Sequence, residues 1–452
     1  MKQDAVDPYS EAVQLAVTGR EDEAYVKFAQ ILNKNFDDAK ALYGLGRIYR
    51  EGEHYGLAFN LFRLCAGFKM GPGPWNEMGL CQVETYDIDR SIYCFRRALE
   101  LAPKDKHGLS NMALAYLLKC EPEKALQFAR RCLEIDPNFE PVLHHQAYAN
   151  LLLGRWKEGW EGHARILGKV KTRSERFYEN RGRMLPKWDG EPGKSVLVYG
   201  EQGIGDEISF ASCIPDLEKV SSRVVFDCDH RLEGLFKRSF PNVCVHGTRF
   251  KDPTKWIDDY ELDARVALGD LPRFFRNADA DFPGTSYLKA EPKEIEGKPR
   301  IGIAWTGGLP NTGSVKRSLS LEDLEPVLRS CNATWVSLEY KNRRDEIATF
   351  RHKTGINILE FDEAKSKDYA DTASLVAGLD LVISVCTAVV HLSGALGKEA
   401  WVLVPSRPRW WYGMETDRSP WYKSVQFFRQ RGEDWTYPLK QIERLLKLRF
   451  GC

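Results

Sequence analysis

A repeat of about 34 residues runs through the first third of the sequence and constrains its fold more than any other feature. Small residues recur at positions 24, 58, 91, 125 and 159, which are 34, 33, 34 and 34 residues apart. A second series of small residues falls at positions 46, 79, 113 and 147. Such a period accommodates two short helices and two turns. One helical hairpin cannot bury its apolar stripe alone, so neighbouring repeats must stack.

Large residues keep the same register as the small ones. Phe28, Phe62 and Phe95 are in step with the period, as are Pro103 and Pro137. This pattern is that of the tetratricopeptide repeat, in which small residues mark the helix crossing and proline begins the turn out of the second helix. We predict about five repeats within residues 1–165, at 5–38, 39–71, 72–105, 106–139 and 140–165. The concave face of such an array binds a peptide or docks the rest of the chain.

Composition excludes several classes of protein. The 452 residues contain 65 Lys and Arg against 64 Asp and Glu, so no overall basic charge points to a nucleic-acid or membrane partner. No C-x-x-C pair signals a zinc ribbon or a thioredoxin-type site. The sequence shows neither a signal peptide nor a run of 18 apolar residues, and we therefore expect a soluble, cytoplasmic protein without a membrane span.

The character of the sequence changes after the repeats. Residues 166–193 are charged and indicate a linker, in which Leu185, Pro186 and Trp188 contact a neighbouring domain. Short apolar runs then alternate with helical segments. The predicted strands are 195–199, 224–226, 243–245, 264–269, 301–305, 334–338, 357–360, 381–385 and 401–404.

Alternating strands and helices predict parallel sheets covered by helices on both faces. The fold class expected for the whole chain is therefore an α-solenoid followed by α/β, with two Rossmann-like domains. We expect the first of these at 194–290, the second at 296–430, and a final helical segment at 431–452 that packs back on one of them. Ligands bind such sheets beyond the carboxyl ends of the strands, which makes the strand-to-helix junctions the candidate sites.

The junction after the strand at 195–199 reads GEQGIGDEISF. Gln202, Gly203 and Gly205 form a loop that permits close approach of a ligand to the backbone. Asp206 stands at the start of the following helix. It is either an N-terminal cap or a general base that takes a proton from an acceptor hydroxyl.

Two further junctions offer groups for an anion. After the strand at 301–305, Thr306 and Gly307 begin a turn, and Lys316, Arg317 and Ser318 follow as diphosphate contacts or as an ordinary solvated loop. After the strand at 381–385, a helix opens whose first N–H groups could face a phosphate. Its residues of interest are Cys386, Thr387, Ala388 and His391.

Some candidates also have ordinary structural explanations. His391 is a lone helical histidine, and such a residue is more often packed than catalytic. Two further candidates flank this anion site. They are Glu339, after the strand at 334–338, and Asp371, near the start of a helix, where the ordinary explanation is that Asp371 and Thr372 cap that helix. The sequence contains neither an H-x-x-x-H nor an H-E-x-x-H motif. It contains no P-loop either, so ATP hydrolysis is disfavoured.

Together these motifs give a family resemblance that spans nearly the whole chain. The chain resembles bacterial and phage tetratricopeptide proteins that carry a C-terminal glycosyltransferase domain, related to the heptosyltransferases and more distantly to the protein O-GlcNAc transferases. The segments that carry it are 188–192, 199–215, 302–307, 317–321, 371–398 and 419–430. The most specific are YGEQGIGDEISFASCIP and DTASLVAGLDLVISVCTAVVHLSGALGK.

The resemblance implies a GT-B fold, with the acceptor side in the first Rossmann-like domain and a nucleotide sugar in the second. It implies metal-independent, inverting glycosyl transfer without a cofactor, and it makes Asp206 the catalytic base. It places Lys316, Arg317 and Ser318 near the diphosphate. The acceptor hydroxyl would belong to a protein or peptide that the repeats present.

Two departures from the family pattern keep alternatives open. Cys386 stands where the family has aspartate, and Glu339 where it often has glutamine. A degenerate transferase retained as a repeat scaffold is therefore one alternative. Another is a phage-type enzyme that glycosylates DNA bases or a cell-surface glycan, for which the basic cluster at 341–353 would contact DNA, although the near-neutral charge disfavours it.

Overall fold

The structure, a computed structural model, describes residues 7–250, 254–308, 317–432 and 434–451. The chain divides into two compact units, Met1–Asn150 and Leu151–Cys452. Lys316, one of the predicted diphosphate contacts, lies outside the described residues. Within the described ranges no helix is both long and apolar enough to cross a bilayer.

The first unit is a tetratricopeptide solenoid of antiparallel helix pairs. Its helices are α1 (Pro8–Val17), α2 (Glu21–Lys34), α3 (Ala39–Glu51), α4 (Tyr55–Gly67), α5 (Gly73–Glu84), α6 (Ile88–Leu101), α7 (Lys106–Leu118), α8 (Pro122–Ile135) and α9 (Glu140–Leu152), whose last two residues belong to the second unit. Each of the first four predicted repeat ranges contains one such pair. Aspartates begin α3, α6 and α7, where Asp38, Asp87 and Asp105 accept hydrogen bonds from first-turn N–H groups.

Steric fit between small and large residues explains the period. A Cβ on Gly46 of α3 would lie 2.8 Å from the fully buried ring of Phe62 in α4. The glycine therefore leaves the space that the phenylalanine of the partner helix fills. The small residue at position 46 and the phenylalanine at position 62 are thus the two sides of one contact, which Gly79 and Phe95 repeat in the next pair of helices.

The second unit contains two parallel sheets and the helices that cover them. The strands are β1 (Glu179–Asn180), β2 (Arg183–Met184), β3 (Ser195–Tyr199), β4 (Arg223–Asp227), β5 (Cys244–His246), β6 (Ala264–Ala267), β7 (Arg300–Ala304), β8 (Thr334–Ser337), β9 (Ile358–Glu360), β10 (Leu381–Val385), β11 (Ala400–Val404) and β12 (Val425–Arg429). The helices are α10 (Trp156–Arg165), α11 (Ile204–Phe210), α12 (Ile214–Val220), α13 (Glu233–Ser239), α14 (Pro272–Phe275), α15 (Leu321–Arg329), α16 (Arg344–Thr354), α17 (Tyr369–Ala377), α18 (Ala388–Ala395) and α19 (Thr436–Phe450).

In both large sheets the order of the strands reverses at one point. The first has the order β5-β4-β3-β6 and the second β12-β11-β10-β7-β8-β9, with every neighbouring pair parallel. The strand order therefore reverses between β3 and β6 in the first sheet and between β7 and β10 in the second. At such points the loops on the two sides diverge and leave a crevice beyond the carboxyl ends of the strands.

The segment predicted as a linker, residues 166–193, lies against the first sheet. It includes the antiparallel pair β1–β2, and its Tyr178 and Leu185 belong to the core around Leu197 and Tyr199. Trp188 is buried too, whereas Pro186 is exposed and contributes only a carbonyl that accepts a hydrogen bond from Arg265.

Helix α10 belongs to the second unit, although the predicted repeats extend to residue 165. The indole of Trp160 donates to the carbonyl of Arg276 at 2.7 Å, and that of Trp156 donates to Asp279 at 2.7 Å. An amphipathic helix whose apolar face carries two tryptophans buries them where aromatic partners are available, here beside Phe282 and Trp410.

The C-terminal helix packs on the second sheet. Leu439, Ile442 and Leu446 of α19 enter the core built around Ile301, Ile383 and their neighbours. Strand β12, next to it, was not predicted as a strand, because Gln426 and Arg429 interrupt its apolar pattern.

Candidate active site

Asp206 lies in the first turn of α11, directly beyond the carboxyl end of β3. One of its carboxylate oxygens accepts a hydrogen bond from the Gly203 N–H at 3.2 Å, as a helix cap does. The other accepts from the indole N–H of Trp411 at 3.1 Å, a residue between β11 and β12 of the second sheet. The side chain therefore faces the elements of the second sheet while it closes its own helix turn.

The surroundings of Asp206 raise the pKa of its carboxyl group above the ordinary value. Burial is the largest influence, and the positive charge of Arg409 and the Gly203 N–H act in the opposite direction. A carboxylate of this kind is a stronger base than an exposed one and still has a cation nearby to hold its charge.

Helix α11 packs closely on α18, and Gly205 makes this possible. A Cβ at Gly205 would lie 3.2 Å from His391 Cδ2 and 3.4 Å from Ala388 Cα. Ser209 Oγ lies 2.7 Å from His391 Nδ1. The residue before Asp206 is thus adjacent to Ala388, the first residue of α18.

His391 is buried between α11 and α18, as expected of a packed helical histidine. Ser209 donates to the Gly205 carbonyl at 2.9 Å and accepts from Tyr422 at 3.0 Å, so its hydroxyl proton is already committed. Since Ser209 can only accept from the imidazole, the ring proton is placed on Nδ1, which donates to Ser209. Burial lowers the pKa of His391 to about 4, and the ring is neutral at pH 7.

The segments that follow β7 and β10 meet where the strand order of the second sheet reverses. Arg317 donates to the Cys386 carbonyl at 3.1 Å, which brings its guanidinium to the start of α18. Ser318 accepts from the Gly307 N–H at 2.8 Å, so these two residues lie side by side. Thr387 is the N-terminal cap residue of α18, and its hydroxyl lies 3.3 Å from Ser384 rather than over the helix end.

Cys386 is buried and directed into the protein. Its thiol lies 3.7 Å from the Leu403 carbonyl, and burial raises its pKa to about 12. Arg317 and Arg409 both act electrostatically on this thiol. Arg409 also acts on Asp206, so it lies near both junctions. Its side chain is exposed.

Glu339 holds a loop in place. Its carboxylate accepts from the N–H groups of Trp305 and Thr306, each at 2.8 Å, and from the Thr306 hydroxyl. Glu339 is 2% exposed. The loop in which Thr306 and Gly307 lie is therefore fixed by a carboxylate, where glutamine could supply only one carbonyl oxygen.

The capping prediction for Asp371 and Thr372 is wrong. Asp368 caps α17 by accepting from the Ala370 N–H at 2.8 Å, because the helix begins at Tyr369, two residues before the predicted cap. Asp371 is exposed and accepts from Ser366, and Thr372 donates to the Glu363 carbonyl. The contacts of Asp371 do not join it to the group around Asp206.

A buried ion cluster supports the loop that precedes Asp206. Arg173 donates to Glu201 at 3.0 Å and to Asp270 at 2.8 Å, and Glu201 accepts from Gln202 at 2.8 Å. The side chain of Gln202 is thus bound within the loop, while Gly203 is exposed. Burial opposes the charge of Arg173, but Asp270 and Glu201 outweigh it and raise its pKa.

An aromatic cluster beside Asp206 was not predicted as part of the site. Trp410 and Trp411 stack at 3.8 Å between ring centroids, and Trp421 lies 4.8 Å from Trp411. Phe210, at the end of α11, contacts the same rings. The signal for it is the segment RPRWWYG, which follows the strand at 400–404 as another strand-to-loop junction.

Three of the five lysines and arginines at 341–353 lie within 4 Å of an acidic side chain. Arg343 lies 3.2 Å from Glu346, Arg344 lies 3.8 Å from Asp362, and Lys353 lies 3.7 Å from Glu322. These acidic neighbours reduce the positive charge that the cluster would present to a phosphate backbone.

The fold thus defines a protein with a tetratricopeptide solenoid followed by an α/β unit of two parallel sheets, and the candidate site lies where α11 meets α18. No model of a known protein family matches the sequence. The chain is similar to protein FlbA of Caulobacter vibrioides (strain ATCC 19089 / CIP 103742 / CB 15), with 29% identity over 384 residues. The match covers 78% of this chain and 63% of FlbA, so the chain spans less than two thirds of that relative.

Solved structures similar to the chain cover its first part. YrrB, described as a TPR protein with an unusual peptide-binding site, is 19% identical, covers 36% of this chain and 85% of its own, and has a TM-score of 0.30. TTC0263, a thermophilic TPR protein of Thermus thermophilus, is 22% identical over 36% of this chain and 90% of its own, with a TM-score of 0.33.

Proposed function

We propose that the chain is a glycosyltransferase of the GT-B type, which transfers a sugar from a nucleotide-sugar donor to an acceptor hydroxyl with inversion. The observation that carries this proposal is the position of Asp206. Asp206 lies between β3 and β4 of the first sheet, and its carboxylate accepts a hydrogen bond from Trp411, between β11 and β12 of the second. The preceding residue, Gly205, contacts the start of α18. A base and an anion-binding helix end are thus neighbours.

In the proposed reaction Asp206 takes the proton of the acceptor hydroxyl. The acceptor oxygen forms a bond to the anomeric carbon as the bond from that carbon to the donor diphosphate breaks. The electron pair of the broken bond leaves with the nucleoside diphosphate. A base positioned in this way typically contributes about 10²–10⁴-fold to the rate.

The departing diphosphate needs positive charge, which the residues at the start of α18 can supply without a metal. The first N–H groups of α18 carry the positive end of the helix dipole, and Arg317 is held beside them by its bond to Cys386. Arg409 adds a second guanidinium that is exposed near Asp206. Groups fixed in this way stabilise developing charge without reorganising during the reaction.

The acceptor in this proposal is a protein or peptide that the solenoid binds. Stacked helical repeats provide extended concave surfaces that suit peptide chains. The nucleotide sugar is the second partner, and the proposed reaction needs neither a cofactor nor a metal.

The test is release of nucleoside diphosphate from a panel of nucleotide sugars by the purified chain, in the presence of EDTA. We expect release with at least one donor, faster when the acceptor is present, and undiminished by EDTA. The control is Asp22→Asn, which removes an exposed carboxylate from the solenoid. Absence of release with every donor, or equal release by Asp206→Ala, would contradict the proposal.

One alternative has a specific observation in its favour. The thiol of Cys386 and the carboxylate of Glu339 are both turned inward and bound within the protein, so neither is free to contact a donor. A scaffold that has lost catalysis would show the same arrangement. Calorimetric titration with nucleotides and nucleotide sugars separates the two, because a scaffold binds none of them.

A further inference from the structure

A cavity of about 700 Å³ lies in the second unit beside the stacked rings of Trp410 and Trp411. Its wall consists of residues 151–154, Trp156, Asp279, residues 410–411, residues 413–416 and residues 418–420. The volume falls within the ~300–1,000 Å³ that is usual for small-molecule sites. At about 30 Å³ for each water of the liquid, it corresponds to about 20 waters, which is room for more than one large side chain.

Trp411 is shared between this cavity and the candidate active site. Its ring forms part of the cavity wall, while its indole N–H donates to Asp206 at 3.1 Å. Asp206 is not a wall residue, so the cavity and the carboxylate adjoin different parts of one indole ring. Two or three residues of extended chain, at about 3.3–3.6 Å each, span a separation of that size. A chain whose hydroxyl reaches Asp206 can therefore place a nearby side chain in the cavity.

The accessible part of the wall is largely apolar. Leu153, Met414 and Pro420 are half-buried, so their side chains are open to an occupant. Of the three indole N–H groups in the wall, that of Trp156 already donates to Asp279 and that of Trp411 to Asp206. The wall therefore attracts an occupant chiefly through apolar contact rather than through free donors.

The rim of the cavity carries both signs of charge. Glu415 and Arg418 are exposed, and neither side chain has a hydrogen-bond or ion-pair partner among the described residues. Asp279 is exposed too, on the side of Trp156. An apolar recess with a polar rim of mixed charge is the usual anatomy of a surface that binds a polypeptide. It suits a peptide with an apolar side chain better than it suits a free anion.

We propose that this cavity receives a large apolar side chain of the acceptor peptide, two or three residues from the hydroxyl that Asp206 deprotonates. The inference rests on the proposed function, because it takes Asp206 as the base. It adds a requirement on the acceptor, which carries leucine, phenylalanine or a residue of similar size at that spacing. Leu153, Met414 and the ring of Trp410 set this preference.

The experiment measures the binding of synthetic peptides to the full chain by calorimetry. Each peptide has nine residues, alanine and glycine around a central serine, with phenylalanine, leucine, glutamate or lysine placed one, two or three residues from the serine. We expect saturable binding when phenylalanine or leucine stands two or three residues away. Alanine in its place should weaken binding at least tenfold, because the burial of one large apolar side chain is lost.

Photocrosslinking locates the apolar side chain on the protein. A peptide with benzoylphenylalanine in the favoured position should form crosslinks to Leu153 or to residues 413–416 of the wall. Mass spectrometry of the digested product identifies them. Crosslinks confined to residues outside the wall would overturn the proposal.

Two variants and a matched control make the result specific. Glu415→Trp fills the mouth of the cavity from an exposed position, and Leu153→Asp places a charge in its apolar wall. Each should weaken binding of the phenylalanine peptide at least tenfold, and Glu415→Trp decides the matter if Leu153→Asp folds poorly. Glu158→Trp adds the same ring at an exposed position of α10 outside the wall and should leave binding unchanged.

The binding measurement needs no turnover, which separates it from the transferase proposal. Asp206→Asn should still bind the phenylalanine peptide, and a chain that releases no nucleoside diphosphate can still show this preference. Absence of binding of every peptide would overturn the inference. Equal affinity for the phenylalanine, glutamate and alanine peptides would do so as well, as would undiminished binding by a folded Glu415→Trp protein.

Discussion

At the scale of single residues, His391 shows how burial sets a protonation state. The ring is neutral because the contact between α11 and α18 removes it from water, and the hydroxyl of Ser209 fixes its tautomer. A neutral histidine can orient its neighbours without bringing a second positive charge near Asp206. That orientation is fixed by residues 182 positions apart in the chain.

We predict that His391 makes the protein acid-sensitive between pH 6.5 and 4. Its folded pKa is about 4 against 6.5 for the free side chain, so the unfolded chain binds the proton first. The free energy of unfolding should therefore fall as the pH drops through this window, by about 3 kcal/mol from this group. Urea unfolding at several pH values measures it.

The comparison is with His391→Asn, which offers an amide to Ser209 and cannot titrate. The variant should lose this part of the pH dependence, whatever its stability at pH 7. Identical slopes for the two proteins between pH 6.5 and 4 would show that His391 is not buried as described.

At the scale of elements, close contacts between helices depend on glycines. Gly46 makes room for Phe62 between α3 and α4, and Gly205 makes room for His391 and Ala388 between α11 and α18. In both places a methyl group would meet a packed neighbour rather than solvent. The two contacts have different consequences, because one supports the solenoid and the other the candidate site.

Gly46→Ala should destabilise the solenoid by about 1–3 kcal/mol, despite the better helix propensity of alanine. The new Cβ would lie 2.8 Å from the Phe62 ring, which is fully buried and has nowhere to move. Gly56→Ala on the neighbouring helix is the matched control, since its Cβ meets nothing within 4 Å. Thermal unfolding followed by circular dichroism decides, and equal effects of the two changes would refute the packing account.

Gly205→Ala should separate α11 from α18 by a few tenths of an ångström and destabilise the protein by about 1 kcal/mol. The added methyl group would lie 3.4 Å from Ala388 Cα, which is backbone and cannot rotate away. Hydrogen exchange of the α11 amides measures the effect. Unchanged protection in α11 would mean that the contact is looser than described.

Sequence patterns predicted most elements because local physics decides them. The strands at 195–199 and 381–385 match their predicted bounds end to end, since both are uninterrupted β-rich runs buried on both faces. Strand β12 was missed because polar residues interrupt it, and α10 lies in the second unit because of its two tryptophans. Periodicity identifies a helix but not the partner that its apolar face will meet.

The candidate site was predictable residue by residue but not as an arrangement. The motifs that contain Asp206, His391 and Arg317 stand out in the sequence, whereas the contacts of Asp206 with Trp411 and of His391 with Ser209 join distant segments. The capping prediction for Asp371 is wrong for a local reason, because Asp368 offered an equally good cap three residues earlier. The hydrogen-bond partners of Glu339 and Cys386 belong to distant segments and could be identified only from the structure.

At the scale of the whole molecule, the segment 166–193 holds the second unit together. Its Arg173 is 1% exposed and connects the loop after β3 to the loop after β6 through Glu201 and Asp270. A charged segment that resembles a linker in sequence therefore supplies the only cation seen to bind both of these carboxylates among the described residues.

Arg173→Met should destabilise the chain by about 3–5 kcal/mol, because it leaves two carboxylates buried without a counter-charge. The control, Arg329→Met, breaks an exposed pair with Glu325 and should cost no more than about 1 kcal/mol. Equal effects of the two substitutions in urea unfolding would contradict the role of the buried cluster.

The central claim is that Asp206 removes a proton from the acceptor at the meeting point of the two sheets. The most direct measurement is the pH dependence of nucleoside diphosphate release at saturating donor, for the wild type and Asp206→Asn, with donor affinity measured in parallel. We predict that the wild-type rate falls on the acidic side with an apparent pKa above the ordinary 3.8 of an aspartate, since burial raises the pKa of Asp206. Asp206→Asn should bind the donor with unchanged affinity and release at least 100-fold less product, in line with the ~10²–10⁴-fold contribution of a general base. A variant that turns over at the wild-type rate with the same pH profile would contradict the account.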